Sequence, residues 1–221
     1  MSLFLKLFET TAEYNAYTAD TSNFIKPNVS CTLDDLTTVH YNPYVDPYAG
    51  HEYVDLGLPS GTKWATMNVG ASSVTDYGNY YQYGKGADDY SVTSGQSVYG
   101  GTENPLATSA DTAVQVWGGN WHMPTLAQLE ELTANTTYQW TTIDGINGGK
   151  FTAQNGNYVF FPAAGNWYDG SQELVGSDGY YWSSSPDGSG DAFYLNFFDG
   201  YEGVGSGGPR LLGFQVRPVV G

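Results

Sequence analysis

The alternation of apolar and polar residues along this chain predicts mostly short strands. Residues 53–56 and 63–68 alternate in this way, and Pro59, Ser60 and Gly61 lie between them. Proline and glycine favour turns because proline fixes φ and glycine tolerates positive φ. The pattern therefore predicts two strands joined by a turn.

One segment has the periodicity of a helix. Leu126, Leu129 and Leu132 are spaced so that they share one helical face. Thr125 precedes them as an N-cap candidate, and Gln128 stands at the N3 position of a capping box. A helix beginning after Thr125 is predicted.

The rest of the C-terminal part predicts more strands and loops. Residues 76–86 carry aromatics on several sides and predict either a short buried helix or an irregular segment, whereas residues 87–110 predict a long polar surface loop. Strands and helices do not alternate as βαβ units, so a parallel sheet is not expected. The predicted fold class is α+β, with short antiparallel strands, about two helices and long loops. Further strands are predicted at residues 138–142, 150–153, 158–162, 180–184, 192–197 and 214–218.

The N-terminal part predicts a small β/α module. Residues 4–8 have the pattern of a strand, and Thr10 with Glu13 forms a capping box for a brief helix. Residues 28–42 alternate apolar and polar positions on both sides of a central Leu-Asp-Asp-Leu, which predicts a β-hairpin.

A linker is predicted where this module ends. Residues 41–50 contain two prolines, a glycine and no periodicity. The predicted units are residues 1–48 and residues 49–221. The first is too short for an ordinary independent core, so we expect it to dock, oligomerise or attach to a larger assembly.

Composition and charge narrow the function classes. The chain has 221 residues, of which 14% are charged, and its formal net charge is −16. The seven Lys and Arg residues are scattered and form no basic patch. We therefore expect no nucleic acid partner and no insertion into an anionic membrane, since both need cations to neutralise phosphate.

Targeting and redox features are sparse. The single cysteine, Cys31, excludes an intrachain disulfide and a multi-cysteine zinc site. The start of the sequence is a poor signal peptide, and no run approaches the roughly 18 apolar residues of a spanning helix. We expect a soluble protein that is made in a cytoplasm.

The C-terminal stretch, residues 180–219, combines fixed and free positions. It begins with a dense aromatic and serine block and ends in a strand-like GFQVRPV. Between them, apolar anchors such as Leu195 and Phe197 are separated by Gly, Asp, Ser and Tyr that a core does not require. This pattern favours a binding surface mounted on a scaffold.

Five motifs occur in order in residues 52–219. They are VDLGLPSGTKWATMNVGA, DYGNYYQYG, WHMPTLAQLEEL, YYWSSS and GFQVRPV. Their order is similar to that of the Fibrobacter-succinogenes-type major paralogous domain of Bacteroidetes, and the resemblance implies a C-type-lectin-like fold. Two positions depart from the family pattern, with His122 in place of Arg and Met67 where Cys is frequent.

The C-terminal stretch also resembles the variable region of proteins diversified by diversity-generating retroelements. That resemblance implies a variable region at about residues 180–219, in which scaffold positions alternate with substituted positions on loops. The scaffold positions it implies are Trp182, Ser183, Ser184, Ser185, Ala192, Leu195, Asn196, Phe197, Gly200, Val204, Gly213 and residues 216–219. The ligand-binding positions it implies are Asp187, Gly188, Gly190, Asp191, Tyr194, Phe198, Tyr201, Gly203, Gly205, Ser206, Gly207, Gly208, Leu211, Leu212 and Phe214.

Among these positions, three aromatics are the strongest ligand-contact candidates. Tyr194, Phe198 and Tyr201 offer large contact areas, and tyrosine does so at low entropy cost. The alternative is that they pack a loop-rich core. Gly203 and residues 205–208 form either a flexible loop or the wall of a concave site.

Metal and catalytic chemistry are not favoured. Residues 187–191 resemble part of a calcium loop but lack the later bidentate Glu, so a solvated acidic turn is the preferred interpretation. His40, His51 and His122 have no metal-ligand spacing and are interpreted as structural, and Arg217 as a paired scaffold charge. No nucleophile elbow, P-loop or paired-carboxylate motif occurs, so we expect no enzyme activity, no cofactor and no metal.

The expected function is ligand recognition by a phage receptor-binding or tail-tip protein. The ligand would be a host-surface protein or glycan, and residues 1–48 would contact other virion proteins. Such a protein is located in the virion as a tail fibre or tip, and a homotrimer would raise its affinity through avidity. Two alternatives stay open: a bacterial cell-surface adhesin of the same fold, and a structural virion decoration protein.

Overall fold

The computed structural model describes residues 29–30, 40–41, 48–89, 103–188 and 190–221. The chain divides into two compact units, Met1–Pro47 and Tyr48–Gly221. In the first, strand β1 (Val29–Ser30) pairs antiparallel with β2 (His40–Tyr41), as the ends of the predicted hairpin require. The hairpin turn and the elements predicted before residue 18 lie outside the described residues.

Within the described residues, the second unit contains two helices and short to medium strands. The helices are α1 (Thr112–Val116) and α2 (Leu126–Asn135). Strands make up 43% of the residues and helices 9%. These contents and the antiparallel pairing confirm the coarse prediction of an α+β-like chain. The strands are β3 (Tyr53–Asp55), β4 (Lys63–Ala65), β5 (Tyr81–Gln82), β6 (Thr136–Ile143), β7 (Ile146–Ala153), β8 (Tyr158–Pro162), β9 (Asn166–Tyr168), β10 (Ser171–Glu173), β11 (Asp178–Pro186), β12 (Asp191–Phe198), β13 (Tyr201–Pro209), β14 (Gly213–Phe214) and β15 (Val219–Val220).

These strands form four small sheets. Their strand orders are β10-β9-β14-β5, β11-β12-β13, β15-β4-β3 and β6-β7-β8. Pairing between the named strands is antiparallel throughout the described residues. Strand β4 lies between β3 and β15, so the beginning and the end of this unit meet in one sheet.

Helix α2 begins as the sequence predicts. The Thr125 hydroxyl accepts a hydrogen bond from the Gln128 backbone N–H, and the Gln128 side chain accepts one from the Thr125 N–H. This reciprocal capping box satisfies two donors that the first turn of a helix leaves unpaired. Leu129 and Leu132 are buried in the core, while Leu126 at the start of the helix is only half-buried.

Two hydrophobic clusters fill the second unit. The first, which we call the first core, contains residues of α2, β7, β8, β11 and β12, and it includes Phe151, Phe161, Tyr181, Leu195 and Phe197. The second core includes residues from all five motifs, since Ala65, Tyr81, Trp121, Trp182 and Val216 belong to it. The motif residues are thus largely interior.

Arg217 is a buried scaffold charge, but its partners differ from the prediction. The side chain is 1% exposed, and its Nε donates to Asn68 Oδ1 at 2.8 Å. Its Nη atoms donate to the carbonyl oxygens of Ala65, Thr66 and Phe160 at 2.9–3.0 Å. Neutral oxygens, rather than a charged partner, therefore satisfy the guanidinium and join three chain segments.

Several predicted elements need correction. Of the strand predicted at residues 214–218, only Phe214 lies in a strand, β14, and the next strand, β15, begins after the predicted range at Val219. Residues 76–86 are irregular apart from the two residues of β5. The predicted surface loop at residues 87–110 also includes a buried side chain, Leu106, whose backbone N–H donates to the Ser184 carbonyl.

The largest correction concerns β13. Its nine residues were predicted as part of a loop, yet they pair with β12 along its length. No helix in the described residues is long and apolar enough to cross a membrane.

Candidate functional site: an outer face of the C-terminal sheet

The predicted ligand-binding residues fall mainly on the sheet β11-β12-β13 and its connections. Successive side chains of a strand point to opposite faces, and directly opposed residues share a face. One face carries Tyr181, Leu195 and Val204, which are cross-strand neighbours and pack in the first core. We call the opposite side the outer face, and its cross-strand rows are Asp178, Phe198 and Tyr201; Tyr180, Asn196 and Gly203; and Trp182, Tyr194 and Gly205.

At one end of the outer face two aromatic rings are exposed. Phe198 and Tyr201 are 40% and 44% exposed. Their rings stack with centroids 4.8 Å apart and planes 18° apart. They flank the two-residue turn Asp199–Gly200, in which Gly200 has a φ of +81°. We call this end the hairpin tip.

Tyr138 of β6 contacts the hairpin tip from the inner side of the sheet. The Tyr138 hydroxyl, on β6, donates a hydrogen bond of 2.6 Å to the Phe198 carbonyl oxygen. The Tyr138 ring also contacts Phe197, whose side chain is fully buried. These contacts position the backbone of the tip while the Phe198 side chain stays open to solvent.

Two glycines of β13 make room for tyrosine rings on the outer face. A Cβ atom on Gly203 would lie 2.8 Å from the Tyr201 hydroxyl, and one on Gly205 would lie 2.7 Å from Tyr194 Cζ. Real Cβ atoms essentially never approach so closely. Both rings therefore lie over glycine backbone, which leaves a flat aromatic surface.

The other end of the outer face is covered. Phe214 of β14 stacks on Trp182 with ring centroids 4.1 Å apart and lies 5.1 Å from Tyr180. It is only 2% exposed. The prediction that Phe214 contacts a ligand is therefore wrong, because its ring fills the second core. Tyr194 lies at the margin, partly buried against Trp182 and Phe214.

A second group of predicted residues lies at the start of β12, away from the tip. The Asp187 carboxylate accepts a hydrogen bond from the Asp191 N–H, and the Asp187 N–H donates to the Asp191 carbonyl, each at 3.2 Å. Gly188 and Gly190 lie in the same connection, with φ values of +84° and +108°. The eight residues of β12 place this group roughly 24 Å from the hairpin tip.

The remaining predicted residues belong to that second group or lie between the two. Asp191 pairs with Pro209, so Gly207 and Gly208 lie near it, and Leu211 and Leu212 follow half-buried. Gly208 is buried and offers no side chain to a ligand. Ser206 lies within β13, between the two groups. The structure thus separates the predicted residues into two groups rather than one site.

The sheet is uniformly acidic. Residues 178–209 contain Asp178, Asp187, Asp191, Asp199 and Glu202, and no Lys, Arg or His. Burial raises the pKa of Tyr138, and the carboxylates of Glu202 and Asp199 raise it further. Burial likewise raises the pKa of Tyr180 to about 12, and Asp178 adds to this effect. The tyrosines therefore stay protonated and donate hydrogen bonds at neutral pH.

Sequence reasoning missed that the site is a hairpin, although a signal was present. Asp-Gly between apolar residues is among the strongest short-range hairpin signals. Asp199–Gly200 joins β12 to β13 in this way, and Asp144–Gly145 and Asp169–Gly170 join two other hairpins of the chain. Asn196, predicted as scaffold, does lie on the outer face, where its Nδ2 donates to the Gly179 carbonyl.

A separate apolar pocket lies away from all predicted residues. Its volume is about 370 Å³, and its lining includes Val54, Val74, Ile143, Tyr158 and Phe160. Val74 and Tyr158 are 43% and 44% exposed, and the Lys150 ammonium lies 4.1 Å from the centre of the Tyr158 ring. Val74 and Tyr158 are thus as exposed as Phe198 and Tyr201 but lie away from the outer face.

The described residues contain no group of three or more His, Cys, Asp or Glu placed to hold a metal ion. His122 pairs through its backbone with Val219, and its Nδ1 lies 3.3 Å from the Asn120 carbonyl oxygen, as suits a structural histidine. Comparison of the chain with protein-family models, curated proteins and solved structures gave no match.

Proposed function

We propose that this protein recognises a host-surface ligand through the hairpin tip and outer face of its C-terminal sheet. In this proposal it is a phage receptor-binding protein with a C-type-lectin-like scaffold. The observation that carries the proposal is the stacked Phe198–Tyr201 pair, exposed at 40% and 44% on a sheet whose inner face is buried. Exposed aromatic side chains are costly to leave in water, and aromatics are enriched where proteins bind partners.

The division of the sheet into two faces supports recognition by a variable surface. On the inner face, Leu195 and Phe197 are fully buried and hold the sheet on the first core. On the outer face, the Phe198 and Tyr201 side chains have no such role. Substitutions at the tip can thus change the binding surface while the anchors keep the fold, which is what a diversified protein requires.

The composition of the outer face suits this role. Tyrosine supplies broad amphipathic contact with few torsions to fix, and glycine lets rings lie flat on the backbone, as in antibody combining sites. The Tyr201 ring over Gly203 follows this arrangement. A single small face gives modest affinity, and a homotrimer or multivalent virion display would raise it by avidity. Residues 1–48 would then supply attachment to the virion.

A capture experiment tests the proposal. The full chain is immobilised and exposed to a gut bacterial community, and the captured cells are identified by sequencing. We expect one or a few cell types to be enriched, and Phe198→Ser/Tyr201→Ser to reduce their capture at least tenfold. A total loss of about 1.4 kcal/mol of binding free energy over the two contacts gives a tenfold effect.

The matched control is Val74→Ser/Tyr158→Ser, which removes two similarly exposed apolar side chains from the separate pocket. The control should capture cells as the parent chain does. Equal capture by the parent chain and the tip variant, or no enrichment of any cell type, would refute the proposal.

Diversification has its own test in the encoding genome. We expect a near-repeat of the codons for residues 180–219 that differs only at adenines, beside a reverse transcriptase gene. The substituted codons should include those of Phe198 and Tyr201 and exclude those of Leu195 and Phe197. Substitutions spread equally over buried and exposed positions would contradict a diversified binding face.

A further inference from the structure

The hairpin tip combines exposed aromatic rings with carboxylates. Its sequence is Phe-Asp-Gly-Tyr-Glu over residues 198–202, so each exposed ring is followed directly by an acidic residue. Asp178 on β11 lies directly opposite Phe198. Asp178 and Asp199 therefore flank the stacked ring pair, and Glu202, which is paired with Phe197, adds a third negative charge from the inner face of the same hairpin.

Four of the five basic side chains in the described residues contact groups away from the hairpin tip. Lys150 lies over the Tyr158 ring and Lys63 over the Tyr53 ring, at 4.1 and 4.8 Å from the ring centres. Arg217 is buried against carbonyl oxygens, and Arg210 Nε donates to the Asp191 carbonyl at the far end of the sheet. Within the part of the chain that the structure describes, no Lys or Arg forms an ion pair with Asp199 or Glu202.

We propose that the ligand of the hairpin tip is a basic protein surface that presents Arg or Lys side chains. A guanidinium can stack on an aromatic face while it donates to a carboxylate, and the tip offers both groups side by side. The net charge of −16 adds long-range attraction for such a partner. This inference rests on the proposed function and names the chemistry of its ligand.

The same charges disfavour the glycan alternative. Cell-surface polysaccharides that carry carboxylate or phosphate would be repelled by the five acidic residues of residues 178–209. A neutral glycan would stack on the rings and form hydrogen bonds, but it would gain no charge–charge attraction to Asp199 and Glu202. A basic protein surface can interact with both the aromatic rings and the carboxylates of the tip.

Binding of defined probes tests the inference on the full chain. The probes are an immobilised alternating Gly-Arg peptide, an alternating Gly-Glu peptide and neutral mannan. We expect binding to the Gly-Arg peptide alone, and weaker binding when salt rises from about 0.1 M to about 1 M, because the Debye length falls from about 10 Å to about 3 Å.

Paired charge variants separate a specific site from general attraction. Asp199→Asn/Glu202→Gln should weaken binding of the Gly-Arg peptide about threefold to tenfold. The control Asp169→Asn/Glu173→Gln makes the same change of charge on the β9–β10 hairpin, where both residues are exposed, and should leave binding nearly unchanged. Equal weakening by both variants would show attraction to net charge only and overturn the inference.

Captured host cells distinguish this inference from the proposed function. Trypsin, which cleaves after Lys and Arg, should remove their capture, and periodate, which oxidises glycans, should leave it. Capture that needs Phe198 and Tyr201 but survives trypsin and Asp199→Asn/Glu202→Gln would refute the basic ligand and keep the proposed function. Capture that ignores Phe198 and Tyr201 would refute the proposed function itself.

Discussion

Gly208 lies against Trp182, so closely that a Cβ atom on Gly208 would be 2.9 Å from Trp182 Cζ3. It would also lie 2.7 Å from Tyr194 Cδ1. Trp182 is fully buried and hydrogen-bonded through Nε1 to the Tyr81 carbonyl, so it has little freedom to move. The glycine is thus required by packing, although the sequence pattern placed it among the substituted positions.

We predict that Gly208→Ala destabilises the fold by about 1–3 kcal/mol, the usual effect of overpacking a core. Gly203→Ala is the control, because its Cβ would meet only the end of the exposed Tyr201 side chain. That change should cost no more than about 0.5 kcal/mol. Urea denaturation of both variants measures the difference, and equal midpoints would contradict the packing of β13 on Trp182.

The exposed aromatics should be dispensable for stability. Phe198→Ser/Tyr201→Ser removes side chains that are 40% and 44% exposed, so we expect its free energy of unfolding to fall by at most about 1 kcal/mol. Leu195→Ala, directed at the inner face of the same strand, should cost about 2–5 kcal/mol. Thermal melts compare the two, and a tip variant as unstable as Leu195→Ala would mean that the rings belong to the core.

Asp111 should act as a structural carboxylate that links α1 to the segment before α2. It is 3% exposed and accepts hydrogen bonds from the Val114 and Met123 backbone N–H groups. Asp111→Ala leaves these donors without an acceptor, so we expect a loss of about 1–3 kcal/mol. The exposed substitution Asp88→Ala serves as the control and should change the melting temperature little.

The same residue should give a pH signature. Burial raises the pKa of Asp111 above its ordinary value of 3.8, although its hydrogen bonds from backbone N–H groups oppose the effect. A raised folded-state pKa contributes stability that is fully present below the unfolded pKa and is lost as the pH rises through the folded pKa. The stability of the parent chain relative to Asp111→Asn should therefore decline from about pH 3.5 upwards. A difference that grows with pH would contradict this environment.

Arg217 should be required for the fold rather than for binding. Burial lowers its pKa to about 10, so the side chain remains charged at neutral pH. Arg217→Met would leave Asn68 Oδ1 and three carbonyl oxygens without their donor, and we expect a cost of at least about 3 kcal/mol. Arg217→Lys keeps the charge but cannot reach all four oxygens, so its cost should be similar. A stable, folded Arg217→Lys protein would show that charge alone is sufficient.

Local patterns were reliable where one element carries its own signal. The start of α2 followed from Thr125 and Gln128, because a capping box is completed within four residues of sequence. Strand β8 begins and ends at the predicted residues, since a short apolar run bounded by polar residues needs no partner to be recognised. Residue type alone points to Tyr194, Phe198 and Tyr201 as candidate ligand contacts, yet Phe198 and Tyr201 are exposed and Tyr194 is partly buried.

Where the chain is rich in glycine, the sequence carries no such signal. Strand β13 holds four glycines in nine residues, so it has neither periodicity nor strand propensity. Its pairing with β12 supplies the backbone hydrogen bonds that make it a strand. The strand predicted at residues 214–218 also depends on its partners. It is not continuous because β14 and β15, at either side of residues 215–218, belong to different sheets.

By itself, the sequence determined the coarse class of the fold and the capped helix. Only the tertiary structure decided which predicted contacts are accessible. Phe198 and Phe214 are the same residue type in the same C-terminal stretch, yet one is 40% exposed and the other 2%. The difference arises because β14 folds back onto Trp182 and covers one end of the outer face, whereas the hairpin tip extends beyond that cover. Burial depends on what packs against a side chain, and residues distant in sequence supply those neighbours.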